Sequence, residues 1–253
     1  MSNKPKNYRV GSWLALIFLN LIAGAIALYY SFKTDEAYNR GDITQSLKYS
    51  RRTLLFIRVG FILLILGLIL ILVSKYNSLV LADEDVKKNW SYVESQYQRR
   101  SDLIPNVVAS VQRESSFERS TLTEVIDARA KATSITVNPE ALSPEEVKTY
   151  ESAQANLSKS LGRLLVTVEN YPNLRANEGF RGLQYQLIGT ENRIITERRR
   201  YNESVRSYNQ KVRSFPNNLV ANMFGFQIHP TFEGDPGTQY VPKLNFDSTN
   251  NRG

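Results

Sequence analysis

Across residues 180–215 apolar and polar positions recur with the period of a packed helix. One register reads Phe180, Leu187, Ile194, Tyr201, Tyr208 and Phe215, each seven after the last. Its companion reads Gln184, Glu191, Arg198, Val205 and Val212. Alternating steps of four and three keep both sets on one stripe of an α-helix. No Pro interrupts the run, and Gly182 and Gly189 lie off the stripe. Such a helix is roughly 50–60 Å long at 1.5 Å per residue. It is not stable alone, so other helices must cover its stripe.

The same spacing recurs upstream. Leu79, Asp83, Val86, Trp90, Val93, Tyr97, Arg100, Ile104, Val107 and Val111 form one stripe. Pro105 is expected to kink or restart that helix, because it lacks a donor and crowds the preceding turn; Ser101 or Asp102 would cap the restart. Ser115 and Glu118 have capping-box spacing, which predicts a new helix carrying Leu122, Val125 and Ala132. Residues 133–143 read as a loop ending in a Ser143-Pro144 helix start. Residues 144–171 carry Val147, Tyr150, Gln154, Leu157, Leu161, Leu164, Val168 and Tyr171, and stop at Tyr171-Pro172. The last long helix opens near Asn177 and stops at Phe215-Pro216. After one or two more turns, residues 224–246 are an irregular strip whose spaced aromatics, Phe224, Phe226, Phe232, Tyr240 and Phe246, are expected to dock on the helices. Residues 247–253 read as a disordered end.

Two runs are apolar without helical alternation. Residues 13–32 carry no charge, and residues 54–73 carry only Arg58 near their start. Each is long enough to cross a hydrocarbon core of about 30 Å. A signal peptide is the rival reading for the first, but its apolar run is long and a second span follows soon. Arg58 is placed to snorkel. Asn20, Ala23, Gly24 and Ala27 either pack the two helices or reflect ordinary membrane-helix composition. The expected fold is therefore all-α: a two-span transmembrane hairpin (1–75), an elongated antiparallel bundle of four helices (76–223), and an irregular tail (224–253).

Charge placement refines this. The net charge is +8, and residues 1–75 hold ten Lys/Arg against three Asp/Glu. The rest of the chain keeps 22 Lys/Arg against 21 Asp/Glu, about +1. A nucleic-acid binder would carry its surplus on the folded domain, so no nucleic-acid partner is expected. A surplus beside apolar runs reads as topology instead. Lys33, Arg40, Lys48, Arg51 and Arg52 put the linker 33–52 in the cytoplasm and the large domain outside.

Candidate chemistry is sparse. There is no Cys, which excludes thiol nucleophiles and Cys-based zinc sites. His229 is the single His, in a Pro-rich strip that is a poor platform for a base, and no carboxylate pair has ligand spacing around it. Gly225, Gly234 and Gly237 lack phosphate-loop spacing. Glu140, Glu145 and Glu146 surround a helix start, where carboxylates suit the dipole. No catalytic residue, metal or cofactor is expected. What remains is a polar seam of Arg99, Arg100, Asp102, Glu191 and Arg198. Arg99 or Arg100 is expected to pair with Glu191, and Asp102 with Arg198 or its neighbours. Buried charges need partners; such pairs fix helix register, face a partner subunit, or bind a ligand. Tyr92, Tyr97, Tyr150, Tyr201 and Tyr208 either fill the core or offer a patch; Tyr92, Tyr97, Arg199 and Arg200 are the candidate interaction surface.

Several stretches carry a resemblance. They include Tyr76-Asn77-Ser78-Leu79, residues 90–106, Ala128-Arg129-Ala130, residues 169–174, Glu191-Asn192-Arg193-Ile194, Arg199-Arg200-Tyr201-Asn202, Tyr208-Asn209 and Phe215-Pro216. In this order, over roughly 76–246, the chain resembles the LemA family of membrane proteins. The resemblance implies a four-helix bundle, hence a break near Ser115, and a membrane location. It implies no catalytic activity, since none is established for the family. Members usually have one N-terminal span where this chain has two, so the family's orientation is not carried over. The expected function is a scaffold or adaptor in the bacterial cell membrane and envelope, contacting lipid, other envelope proteins and copies of itself. A second reading is a regulatory partner of an HtpX-type membrane protease.

Overall fold

A computed structural model describes residues 4–233 except 20, 115 and 141; Phe18 and Leu19 are described in backbone only. The calls on Asn20, Ser115 and residues 234–253, including Tyr240 and Phe246, lie outside the described residues. Nearly all of what is described is helical: α1 (Arg9–Leu14), a π-helical turn (Ala15–Leu19), α2 (Leu21–Asn39), α3 (Ile43–Gln112), α4 (Arg119–Ser134), α5 (Pro144–Val168), α6 (Pro172–Ala176), α7 (Glu178–Arg213) and α8 (Asn217–Phe224). The chain divides into two compact units, Met1–Ser78 and Leu79–Gly253.

In the first unit, residues 13–32 are not one helix. α1 and the π turn lie along α2, and the approach is so close that a Cβ on Gly24 would stand 2.3 Å from Leu16 Cα. Only glycine admits that contact. The N-terminal tail is tied to the far end of α2: Lys4 and Arg9 pair with Asp35 at 3.1 and 2.7 Å, and Asn7 donates to it at 2.9 Å. Arg9 also lies over the Phe32 ring. Gly41, at φ +82°, turns α2 into α3, and Asp42 accepts from Gln45 N to cap it. Ser46 Oγ donates to Thr34 O and Ser50 Oγ to Lys6 O, so small hydroxyls stitch the tail, α2 and the start of α3 together. Among the described residues one helix, α3, holds a stretch long and apolar enough to cross a membrane. Leu63, Leu66, Leu68, Ile69, Leu70 and Ile71 of that stretch are exposed.

The second unit is built on the predicted stripes. Leu157, Leu161, Ile194 and Val205 are all buried. One apolar core takes Ile104, Val107 and Val111 from α3, Leu122 and Val125 from α4, Leu157, Leu161 and Leu164 from α5, and Phe180 and Leu187 from α7. Two expectations fail locally. Pro105 does not restart the helix, and α3 runs on through it. Its ring removes the donor that Ser101 O would receive, and Arg129 Nε supplies a substitute at 2.9 Å. Phe215 is not on the seam: α7 ends at Arg213, and the Phe215 ring is 79% exposed. The chain does break between Gln112 and Arg119, where Phe117 tucks in against Tyr171. Ser143 caps α5 by accepting from Glu146 N, with Pro144 in the first turn. Asn177 caps α7 by accepting from Phe180 N.

Candidate functional site

The polar seam of the second unit is centred on Arg100, which is 1% exposed. Its position on the α3 stripe forces the guanidinium inward, where α5 and α7 supply its acceptors. Nη1 donates to Glu191 Oε2 at 2.9 Å and to Ser158 Oγ at 2.6 Å. Nη2 donates to Gln154 Oε1 at 2.6 Å and to Gln154 O at 3.2 Å. The group also lies over the Tyr97 ring. Glu191 is half exposed, so the pair is buried on its cationic side and wet on its anionic side.

Two turns along α7, Arg198 pairs with Glu151 of α5 and stacks over the ring of Phe232. Phe232 belongs to a strip that leaves α8 at Gly225, whose φ of +78° suits glycine, and continues without regular secondary structure to Glu233. Phe232 is buried in an aromatic box. Its ring stacks on Trp90 with centroids 5.5 Å apart and meets Tyr201 edge-on at 5.1 Å. Tyr150 and Tyr97 extend the box along α5 and α3.

The strip is held by its backbone. Asn202 Nδ2 donates to Phe232 O at 3.1 Å, and Phe232 N donates back to Asn202 Oδ1 at 2.9 Å. Asn209 does the same for His229, at 2.8 and 2.9 Å. Tyr201 OH donates to Pro230 O, Arg198 to Glu233 O, and Glu233 N to Glu151 Oε2. His229 stacks on Tyr208, and its Nε2 meets Asp83 Oδ1 at 2.6 Å. Asp83 in turn joins Lys87, which reaches Glu84 and Glu140. The hydrogen bond from Lys87 to Glu140 holds its ammonium well above the usual lysine range. Burial raises the phenols of Tyr97, Tyr150 and Tyr201, and pushes Tyr208 up to about 12. These tyrosines are neutral wall groups at physiological pH. Among the described residues no group of three or more His, Asp or Glu is arranged to hold a metal ion.

The structure brings Arg100 and Glu191 together and leaves Arg99 exposed. Asp102 does not meet Arg198. It is exposed on α3 and accepts from Gln98 one turn away, because the stripe turns that position outward. Tyr92, Arg199 and Arg200 are on the surface, Arg200 pairing with Glu197. Tyr97 is buried, held edge-on to Tyr150, and presents no surface. Sequence reasoning missed Glu151, Asp83, Asn202 and Asn209. The last two had a legible sign: the Tyr-Asn pair recurs seven residues apart, beside the seam.

A helical unit with a buried arginine seam, joined through α3 to a bare apolar stretch, is the class these features define. A family model described as the LemA family matches residues 89–246, well over half of the chain, and the chain belongs to that family. Magnetosome protein MamQ 2 of Paramagnetospirillum magneticum is 26% identical over 192 residues, covering 69% of this chain and 71% of that protein. MamQ of Magnetospirillum gryphiswaldense is 24% identical over the same coverage. Protein LemA of Metamycoplasma hominis is 25% identical over 167 residues, 66% of this chain and 73% of that one. A second family model, described as interferon-induced transmembrane protein, matches residues 4–73. With the exposed apolar stretch of α3, these likenesses mark a membrane-associated helical protein.

Proposed function

We propose that this protein is a membrane-anchored helical scaffold or adaptor of the bacterial envelope, a four-helix bundle that works through protein contacts, including contacts with its own copies, and not by catalysis. The observation that carries the reading is the outer face of α7. Tyr185, Ile188 and Ile195 are 68%, 47% and 61% exposed, and helical spacing puts them on one stripe, each one residue past a seam position and so flanking the packed seam. A stripe of large apolar side chains facing out from a well-packed helix is a docking surface. The test is chemical cross-linking of the full chain in membranes. Multimers or a co-linked protein that disappear with Tyr185→Ser, Ile188→Ser and Ile195→Ser support the reading; monomer alone in both overturns it.

The anchor follows from the same logic. α3 supplies the crossing, while α1, the π turn and α2 form a hairpin whose legs fold back on each other. Because Lys4, Arg9 and the Lys6 carbonyl are tied to Asp35 and Ser50, the tail and the 33–52 segment lie at one membrane face. The eight Lys/Arg that precede the apolar stretch put that face in the cytoplasm and the larger unit outside. A cytoplasmic N-terminus distinguishes this arrangement from two full spans, which would expose the tail on the outer side. Accessibility of a cysteine placed at Lys4 to an impermeant thiol reagent decides between them.

A further inference from the structure

The strip 226–233 is seated as a ligand would be. It contributes its backbone and two side chains; the groove contributes everything else. Asn202 and Asn209 are seven residues apart on α7, a rise of about 10.5 Å. His229 and Phe232 are three residues apart, a reach of about 10 Å for a drawn-out chain. The two spacings match, so each asparagine amide reads both the N–H and the C=O of one strip residue. Between them Tyr201 takes the carbonyl of Pro230, a residue with no N–H of its own to satisfy. A helix that reads backbone in this way accepts any chain able to put an aromatic ring into the Trp90–Tyr201 box and an imidazole against Asp83. Every copy of this protein carries such a segment.

A second observation concerns the connection. The strip leaves α8 at Gly225, with Phe226 N still donating to Ala221 O at 2.9 Å, and the approach to that turn is apolar and bare. Phe215, Leu219 and Met223, four residues apart, are 79%, 57% and 68% exposed. That stripe adjoins the point where the strip would cross from one molecule to another. Exchange of an identical segment keeps all groove contacts and adds only what forms at the hinge. Here the addition is the stripe of one copy against that of the other.

We propose that residues 226–233 are an exchangeable strap: in a pair of molecules the strap of each copy fills the Asn202–Asn209 groove of the other, and the Phe215–Leu219–Met223 stripes pack together at the crossing. The proposal deepens the scaffold reading by naming the partner as a second copy and the contact as the strap.

The chain has no cysteine, so single thiols report cleanly. Lys148 and Thr231 line one cleft beside the strap. Two differently tagged full-length chains, one with Lys148→Cys and one with Thr231→Cys, are expressed together in membranes and treated with a short bis-maleimide. A species carrying both tags is expected. Stopping the Lys148→Cys copy after Gly225 removes its own strap and should increase that species. Adding Asn202→Leu and Asn209→Leu to this shortened copy should reduce it about thirtyfold or more, since four hydrogen bonds are lost. A chain carrying both cysteines is the control that the groove is filled. If it closes only on itself while the mixed pair yields no joint species, the strap is private to each copy and exchange is wrong. If it closes in neither way, the strap is not in the groove and the proposal also fails. A label at Met223 quenched from within the lipid, with no Met223→Cys self-link, would assign the stripe to the bilayer and overturn the pairing. Multimers from lysine cross-linking of the unaltered chain, with a strap that stays private, would leave the scaffold reading standing and exchange refuted.

Discussion

Removing the Glu191 carboxylate should cost this protein stability in proportion to how much water it already sees. Arg100 is 1% exposed and its partner's side chain 42%. Breaking a fully buried pair by removing one member costs about 3–5 kcal/mol, because the survivor is stranded. Here the survivor keeps Ser158 Oγ and both oxygens of Gln154, and the anionic side is open to solvent, so a surface discount applies. The expected loss for Glu191→Ala is about 1–2 kcal/mol. Arg100→Ala removes the guanidinium and leaves a void among Tyr97, Gln154 and Ser158, and should cost about 3–5 kcal/mol. The two changes should not add: once Arg100 is gone, Glu191 is merely a half-exposed carboxylate, and the double variant should lose little more than Arg100→Ala alone. Urea unfolding of the full chain in detergent, followed by circular dichroism, measures all three. Additive losses, or a Glu191→Ala effect below about 0.5 kcal/mol, would refute the reasoning that this pair joins α3 to α7.

The other predictions follow from the strap, the phenols and the hairpin. Asn202→Leu or Asn209→Leu each removes two hydrogen bonds, about 1–3 kcal/mol, and should expose residues 226–233 to limited proteolysis while the helical signal is unchanged. Phe232→Ala should release the strap more completely and raise the fluorescence response of Trp90 to added quencher. Tyr208 is held up to about 12 against about 10 when unfolded, so the folded protein keeps a proton that the unfolded chain loses. Stability is therefore unaffected below pH 10 and falls through the window from 10 to 12, by about 1.4 kcal/mol per pH unit for each such group. Tyr208→Phe should flatten that fall, read from unfolding curves alongside tyrosinate absorbance. Gly24→Leu should force α2 away from the π turn, and cysteine accessibility along residues 9–19 should rise in consequence.

The stripes of the second unit were legible because their period is set by one physical demand, coverage of an apolar face. Leu157, Ile194, Val205 and Tyr201 could be placed inside without knowing which helix faced which. The helix starts at Ser143 and Asn177 were legible too, since each cap acts within one turn. Apart from Arg100 and Glu191, what escaped the sequence was partnership across the fold. Arg198 was expected to reach Asp102 and instead meets Glu151, because pairing depends on the rotation of α5, to which local spacing is blind. Pro105 was expected to kink or restart α3; there is no restart, and Arg129, 24 positions away, takes the place of the lost donor. The run 13–32 was read by length alone; a close approach at Gly24 turns what length permits as a span into two legs. Asn202 and Asn209 left only the repeat of the Tyr-Asn pair as a sign, and their partner was not legible, since a side chain that binds backbone leaves no complementary residue type to look for.

That last distinction separates the two kinds of polar residue in this unit. Arg100 is specific: its acceptors come from α5 and α7, and a one-residue slip of either helix would strand it, so it fixes register. Asn202 and Asn209 are tolerant: they grip N–H and C=O groups that every residue but proline offers, and Pro230 sits where only a carbonyl is needed. Selectivity over what lies in the groove therefore rests on Phe232 in its box and His229 on Asp83. A helical unit held in register by one set, with a segment gripped largely through its backbone by the other, is suited to exchanging that segment, because most of the grip is indifferent to which copy supplies it.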